Sequence, residues 1–407
     1  MHHAHVLLSI CLACLAIGAS AVSVLRPRFS GASSIALTQQ TNTTGDTTVY
    51  RNDVARAQRL FGTGGETGRI LNLGTRASSF PIQNQVVTFT APVNFACFPG
   101  TTYNLIVDTG SSNTWTGAAK SINLEKSKTC KGTGNEVDVL YGSGAFEGNE
   151  YIDNITLFPA LDDPPVARKQ SIAVATFSEG FDGFDGILGM GPEDLTEDTR
   201  FPDQDEFLTV PQTLGLDVFS LSLTPNNGIG ANGSNAGFLN LGSYTCPDSP
   251  MLQCSEPVSY TPITNASPAN AYWGMNTSMA YGTLTGGPDD VLILSKTSGI
   301  VDSGTTLILI SSSAFQAYLK ATNGTQDQST GQIIVTPDQF KQMKNFCFIF
   351  NTTTGETSRK CLTPDQQVWP TSQYAAIGGK CGNIYLVIAD IGSVPVLSGS
   401  GIDFIAG

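Results

Sequence analysis

The sequence predicts a mainly β chain built as two related lobes that meet at a shared cleft. Three observations carry this expectation. An Asp-hydroxyl-Gly-hydroxyl loop occurs twice, in "LIVDTGSSNTW" (105–115) and in "GIVDSGTTL" (299–307). The two aspartates, Asp108 and Asp302, lie 194 residues apart (302 − 108), each at the end of an apolar run and each followed downstream by an apolar-apolar-Gly element, Ile187-Leu188-Gly189 and Ile405-Ala406-Gly407. Between these landmarks, short apolar alternations are broken by Gly, Pro, Asn and Ser, the mark of many short strands, and 43 glycines fit a chain of many turns.

From the N-terminus, "MHHAHVLLSICLACLAIGASA" has the form of a secretory signal (1–21): an apolar stretch, Val6–Ile17, and small residues up to Ala21. Its leading region carries His in place of Lys or Arg. Residues 22–78 form a polar leader with a helical patch at Asp53–Leu60. This leader holds seven basic and three acidic side chains, net +4, while the rest of the chain holds 14 basic and 31 acidic, net −17. An acidic body argues against a nucleic-acid partner, and a basic leader beside it suggests an electrostatic clamp. No later apolar run approaches the ~20 residues needed to span a bilayer. The sequons at Asn154, Asn265, Asn276 and Asn351 also favour export.

From about Val86 the segments "VTFTAPV", "TYNLIVD", "VDVLYGSG" and "YIDNITLF" read as strands. Helices are expected at Ser313–Thr322, closed by Asn323-Gly324, and at Pro337–Asn345, where Thr336 is the N-cap and Pro337 stands at N1. Beyond the signal, seven cysteines remain of nine. Cys246 with Cys254, Cys347 with Cys361, and Cys97 with Cys130 are candidate pairs, with Cys381 left over; connectivity does not follow from sequence.

All three histidines, His2, His3 and His5, lie in the signal. The remainder therefore cannot use Ser-His-Asp or Cys-His catalysis, or His-ligated metal. Acid–base chemistry must rest mainly on carboxylates, Tyr or Lys. A single Asp-[Ser/Thr]-Gly triplet arises by chance roughly once in several chains of this length, and alone it usually marks an Asx turn. Two copies, each ending an apolar strand, fit a task. Gly110 and Gly304 let the two backbones approach. Thr109 and Ser303 can hydrogen-bond across to the opposite loop, and Ser111 and Thr305 can orient the outer carboxylate oxygens. Two carboxylates within ~3 Å share a proton, which makes an acid–base couple able to activate a water.

These residues resemble the pepsin-like aspartic proteases, most closely the basidiomycete polyporopepsin type, over most of residues 85–407. The resemblance implies the bilobal pepsin-like acid protease fold, with an N-terminal lobe over 79–255 and a C-terminal lobe over 256–407. It implies Asp108 and Asp302 as the catalytic dyad. Tyr141-Gly142-Ser143-Gly144 is similar to the family's flap tip, and Trp115 stands where the family's Trp hydrogen-bonds the flap Tyr. Ile300, Thr306 and Ser143 would line the cleft. The family needs no metal and no cofactor. The expectation is a secreted, monomeric endopeptidase, made as a zymogen with 22–78 as propeptide, acting on peptide or protein substrates without nucleic acid or membrane as partner. "FDGFDGILGMGP" and "YTPITNASPANAYWGMN" carry the likeness further. Departures are Ser303 where the family has Thr, Cys97 in an unusual connection, and an end at Gly407 where the family continues into further strands, so that C-terminal strands are expected to be missing. The rival expectations are an inactive truncated product and a non-catalytic binding protein on the same fold.

Overall fold

The strand Thr102–Asp108 shows how the sequence positions the site. Its first residues alternate exposed and buried, and its last four are all buried, as befits a strand that starts at a rim and ends covered on both faces. It pairs antiparallel with Thr88–Phe95 and parallel with Gly186–Gly189, where Gly189 lies opposite Asp108. Gly186–Gly189 also runs antiparallel to Trp115–Thr116. Gly186 sits at φ +151°, and a Cβ there would run into the Trp115 carbonyl. The second copy repeats the pattern. Phe404–Ala406 runs parallel to Val291–Val301, with Ile405 opposite Ile300, and antiparallel to Ile308–Ile310. The duplicated grammar of the sequence is thus a duplicated motif in three dimensions, and each copy ends one Asp-bearing strand against an apolar-apolar-Gly strand.

The computed structural model of the chain describes residues 5–9, 14–18, 33–40, 49–62, 88–96, 100–120, 129–141, 144–195, 208–216, 218–223, 234–242, 259–392 and 402–407. Among these, strands dominate, in sheets of thirteen, seven and three strands. A long twisted ribbon, Lys131–Tyr141 with Gly144–Leu157, reaches over the first lobe. One apolar core gathers Val93, Phe95, Tyr103, Leu105 and Leu188 in that lobe. A second gathers Met279, Phe315, Tyr318, Phe346 and Phe404 in the other. Trp273 belongs to the first core: it packs edge-on to Phe219 at 5.9 Å, and its Nε1 donates to the Met190 carbonyl at 3.0 Å.

Several expectations change. The helix near 313 runs Ser312–Thr322, with Asn323 in the left-handed region at φ 54°. The helix expected over Pro337–Asn345 is only Pro337–Phe340, capped by Thr336 and Gln339. Asn345 instead opens the strand Asn345–Asn351, where it pairs opposite Gly282, and the Tyr281 hydroxyl accepts from the Lys344 N–H. Sheet pairing therefore overrides local helical tendency there. The leader patch is a longer helix, Val49–Gly62. The pair Cys347–Cys361 is a disulfide across Asn345–Asn351 and Thr357–Leu362. Cys130 is disulfide-bonded as well, and Cys381 is free and exposed. Cys97, Cys246 and Cys254 lie outside the described residues.

The apolar stretch read as a signal stands as two paired strands, His5–Ser9 and Cys14–Gly18. The first pairs with Tyr260–Pro262 and the second with Val218–Leu223. Short apolar runs suit a strand as well as a helical signal when a sheet edge offers backbone partners. Among the described residues, no helix is long and apolar enough to cross a membrane.

Phe404 is fully buried, stacks edge-on with Phe348 at 6.4 Å and fills the space above Gly299. Phe404→Ala should destabilise the second lobe by about 3–5 kcal/mol, the usual range for truncating a buried aromatic. Urea unfolding followed by tryptophan fluorescence measures this; a loss under ~1 kcal/mol would mean that the last strand does not close the lobe.

Candidate active site

The two Asp loops face each other and are tied by reciprocal bonds. The Thr109 N–H donates to Ser303 Oγ at 3.0 Å, and the Ser303 N–H donates to Thr109 Oγ1 at 2.9 Å. Each hydroxyl then donates onward to the strand behind the other loop: Ser303 to the Val107 carbonyl at 2.8 Å and Thr109 to the Val301 carbonyl at 3.4 Å. Within each loop the carboxylate is held from two sides. Asp108 accepts from the Gly110 N–H at 2.9 Å and the Ser111 hydroxyl at 2.6 Å. Asp302 accepts from the Gly304 N–H at 2.9 Å and the Thr305 hydroxyl at 2.6 Å. A Cβ on Gly304 would stand 2.6 Å from Asp108 Oδ1, and one on Gly110 would strike the Asp302 carboxylate. Both glycines are therefore conditions of the approach.

Between the two carboxylates lies a residue that sequence reasoning did not single out. Arg56, from the leader helix, donates through Nη2 to Asp108 Oδ1 at 2.7 Å, through Nε to Asp302 Oδ2 at 2.7 Å and through Nη2 to Asp302 Oδ1 at 3.0 Å. All three side chains are buried. One helical turn earlier, Asp53 accepts from the Leu307 N–H at 2.7 Å and from the Thr306 N–H at 3.1 and 3.2 Å. Near the helix end, the Leu60 carbonyl accepts from the Tyr272 hydroxyl at 3.1 Å; the last carbonyls of a helix have no partner within it. Val49 and Ala57 sit in an apolar cluster with Tyr272, Ile300 and Leu307. A signal was present in the sequence. Asp53 and Arg56 are three apart, so they share one helix face, and they stand inside the helical patch at Asp53–Leu60.

Electrostatics follow from this geometry. Burial pushes the Asp302 carboxyl up, but the Arg56 charge and hydrogen bond, the Thr305 hydroxyl and the Gly304 N–H outweigh it and hold Asp302 below the ordinary carboxylate range. Burial pushes Asp108 up; Arg56 offsets this in part and the Asp302 charge adds to it, leaving Asp108 above that range. Burial also raises Asp53 to about 7, against its backbone hydrogen bonds and Arg56. Arg56 stays charged, since both aspartates outweigh its burial.

The flap differs in detail from expectation. Tyr141 and Trp115 are neighbours, with rings 6.4 Å apart and 24° from parallel. Trp115 Nε1, however, is buried without a hydrogen-bond partner, so the expected Trp–Tyr hydrogen bond is not formed. Tyr141 is instead wedged beside Phe146 and edge-on to Phe181 at 5.5 Å. Gly142 and Ser143 lie outside the described residues. Ile300 is fully buried beneath the leader helix, and Thr306 meets the leader through its N–H. No cluster of three or more His, Cys, Asp or Glu among the described residues is placed to hold a metal ion.

Two β lobes that present one buried carboxylate each to a common cleft define the class of the acid proteases. The eukaryotic aspartyl protease family model matches residues 97–370, and the chain belongs to that family. Polyporopepsin of Irpex lacteus is 42% identical over 338 residues, which cover 81% of this chain and 91% of polyporopepsin. Penicillopepsin-3 of Penicillium janthinellum is 27% identical over 245 residues, 57% of this chain and 55% of that protein. The crystal structure of an aspartic proteinase from Irpex lacteus superposes with a TM-score of 0.67 at 36% identity, covering 93% of this chain and 91% of the other. The protein is a pepsin-like, aspartic-type endopeptidase.

The raised Asp53 has a direct consequence. A carboxyl that holds its proton to higher pH in the docked state gives stability that is complete below the ordinary carboxylate range and lost as pH rises to about 7. The full chain should therefore lose thermal stability as pH rises from about 4 to about 7, and Asp53→Asn, which keeps an acceptor for the Thr306 and Leu307 N–H groups, should lose clearly less. Calorimetry across that window decides it; parallel losses in both proteins would show that Asp53 does not titrate there.

Proposed function

We propose that this endopeptidase works through Asp108 and Asp302 and is made as a secreted zymogen whose leader, within 22–78, blocks the dyad. The observation that carries the reading is the Arg56 guanidinium, set between both carboxylates from a leader helix. With the leader gone, a proton replaces Arg56 as the positive charge between the two aspartates. The ionised carboxylate takes a proton from a water held between the loops, while the protonated one donates to the peptide carbonyl oxygen. The water oxygen bonds to the carbonyl carbon, giving a neutral tetrahedral diol. Its collapse breaks the C–N bond, and the nitrogen leaves with a proton returned by the dyad. The substrate is an extended peptide under the Tyr141 flap. The domain reading stays as drawn from the sequence: signal 1–21, propeptide 22–78, lobes 79–255 and 256–407.

Export is the part of this reading that sequons support. Asn265 and Asn351 are exposed, whereas Asn276 lies in the strand Gly274–Gly282, accepts from the Thr264 hydroxyl and precedes a fully buried Thr277. Glycans should therefore sit at Asn265 and Asn351 and not at Asn276; peptide mapping of protein secreted from a eukaryotic host, before and after deglycosylation, reads this directly.

Asp108→Asn and Asp302→Asn should each reduce cleavage of an unstructured protein substrate by at least ~10²–10⁴-fold. The double variant should be no worse than the poorer single one, because the two act as a unit. Activity should be confined to acidic pH; a maximum near pH 8 would leave both carboxylates ionised and no acid in the couple. Arg56→Met should shift self-processing toward higher pH, read as leader loss by mass spectrometry. If Arg56→Met instead requires the same acidity as the parent chain, Arg56 does not guard the dyad.

A further inference from the structure

Gln332 is a buried polar side chain that nothing described so far uses. It is 1% exposed, and both its Nε2 and its Oε1 lack a hydrogen-bond partner. Among the described residues no other buried side-chain amide is left without partners at both atoms. Such groups are rare in folded proteins and call for an explanation. Gln332 precedes the strand Ile333–Val335, whose Ile333 and Val335 point into the core of the second lobe. Alternation puts Gln332 on the opposite face with Ile334. Ile334 packs in the cluster that receives the leader residues Val49, Tyr50 and Ala57. The neighbouring Gly331, at φ +76°, leaves room for the Tyr50 ring, which occupies the place of a Cβ there. The leader helix therefore covers this corner of the second lobe.

The leader satisfies other polar groups of the cleft by imitation. Asp53 serves the Thr306 and Leu307 N–H groups, and the Leu60 carbonyl serves Tyr272. Next to Gln332, at Gly331, it offers only the side of an aromatic ring. A helix spends its interior N–H and C=O groups on itself, whereas an extended chain presents both along its edges. From this difference we infer that Gln332 is a substrate-binding residue, whose amide hydrogen-bonds the backbone of an extended peptide once the leader has left. The inference rests on the peptidase reading above. Six residues of helix separate Tyr50 from Arg56, about 9 Å along the axis. That distance corresponds to roughly three residues of extended peptide, so Gln332 meets substrate about three residues from the scissile bond.

The test compares two peptide substrates of one scissile sequence with processed Gln332→Leu enzyme and its parent. The short peptide spans two residues on each side of the scissile bond and the long one spans four. The ratio of kcat/KM for long over short peptide should fall about fivefold in Gln332→Leu, the size expected for one neutral hydrogen bond. The unprocessed Gln332→Leu chain should melt no lower than the parent near pH 6, because it loses an amide that the leader leaves unpaired. An unchanged ratio overturns the proposal. So does a chain that fails to fold, or a fallen ratio together with a lower melting temperature, since either makes Gln332 a support of the lobe. If the parent enzyme cleaves neither peptide, the peptidase reading fails first and this one with it.

Discussion

Two buried carboxylates that face each other need a positive charge between them, and most of this structure can be read from that requirement. Without one, like charges at close range in a dry site would push the loops apart or force protonation. Here the guanidinium of Arg56 supplies it, with one hydrogen bond to Asp108 and two to Asp302. The unequal sharing explains why the two aspartates diverge, Asp302 toward ionisation and Asp108 away from it. The loop hydroxyls and the Gly110 and Gly304 N–H groups can orient the carboxylates but cannot neutralise them. In the proposed zymogen the same frame accepts an arginine while the leader is docked and a proton afterwards.

The grip between the loops makes that exchange affordable without collapse. Thr109 and Ser303 each accept from the opposite N–H and donate to the opposite strand. The replacement of the family's Thr by Ser303 removes a methyl group and keeps all of these functions; its onward bond to Val107, at 2.8 Å, is shorter than that of Thr109 to Val301, at 3.4 Å. The bonds tie loop to loop through backbone groups, so they do not depend on the charge state of the carboxylates.

The dyad was legible in the sequence because its chemistry is local. Each Asp carries its hydroxyls and its glycine within three residues, and the repeat supplied the second copy. Arg56 was not, because its partners lie 52 and 246 residues away and only the fold brings them together. Net charge hinted at a clamp but could not say which of seven leader arginines mattered. Gln332 looks like part of an ordinary turn in "TGQII" until its burial and its lack of partners are seen. Spacing brought Trp115 near Tyr141 but could not set ring orientation, which the packing of Phe146 and Phe181 decides. The helix at 337 was overread because its cap is real while its continuation is claimed by a strand.

The leader is more than a cationic strap on an acidic body. The helix that delivers Arg56 also buries Asp53, whose ionised form the Arg56 charge favours. When Asp53 is ionised it competes for the charge that the dyad requires, and Asp302 in turn raises it. A proton on Asp53 ends this competition while leaving a carbonyl oxygen to accept from Thr306 and Leu307. Mild acid therefore seats the leader more firmly, and this is opposite in sign to a clamp that weakens steadily as carboxylates protonate. In the proposed zymogen, release would come from Asp302, which lies below the ordinary carboxylate range and would give up its hold on Arg56 only when pH falls through that lowered value. On the proposed reading, the contact of a few buried groups, and not the long-range balance of +4 against −17, would set where the cleft opens.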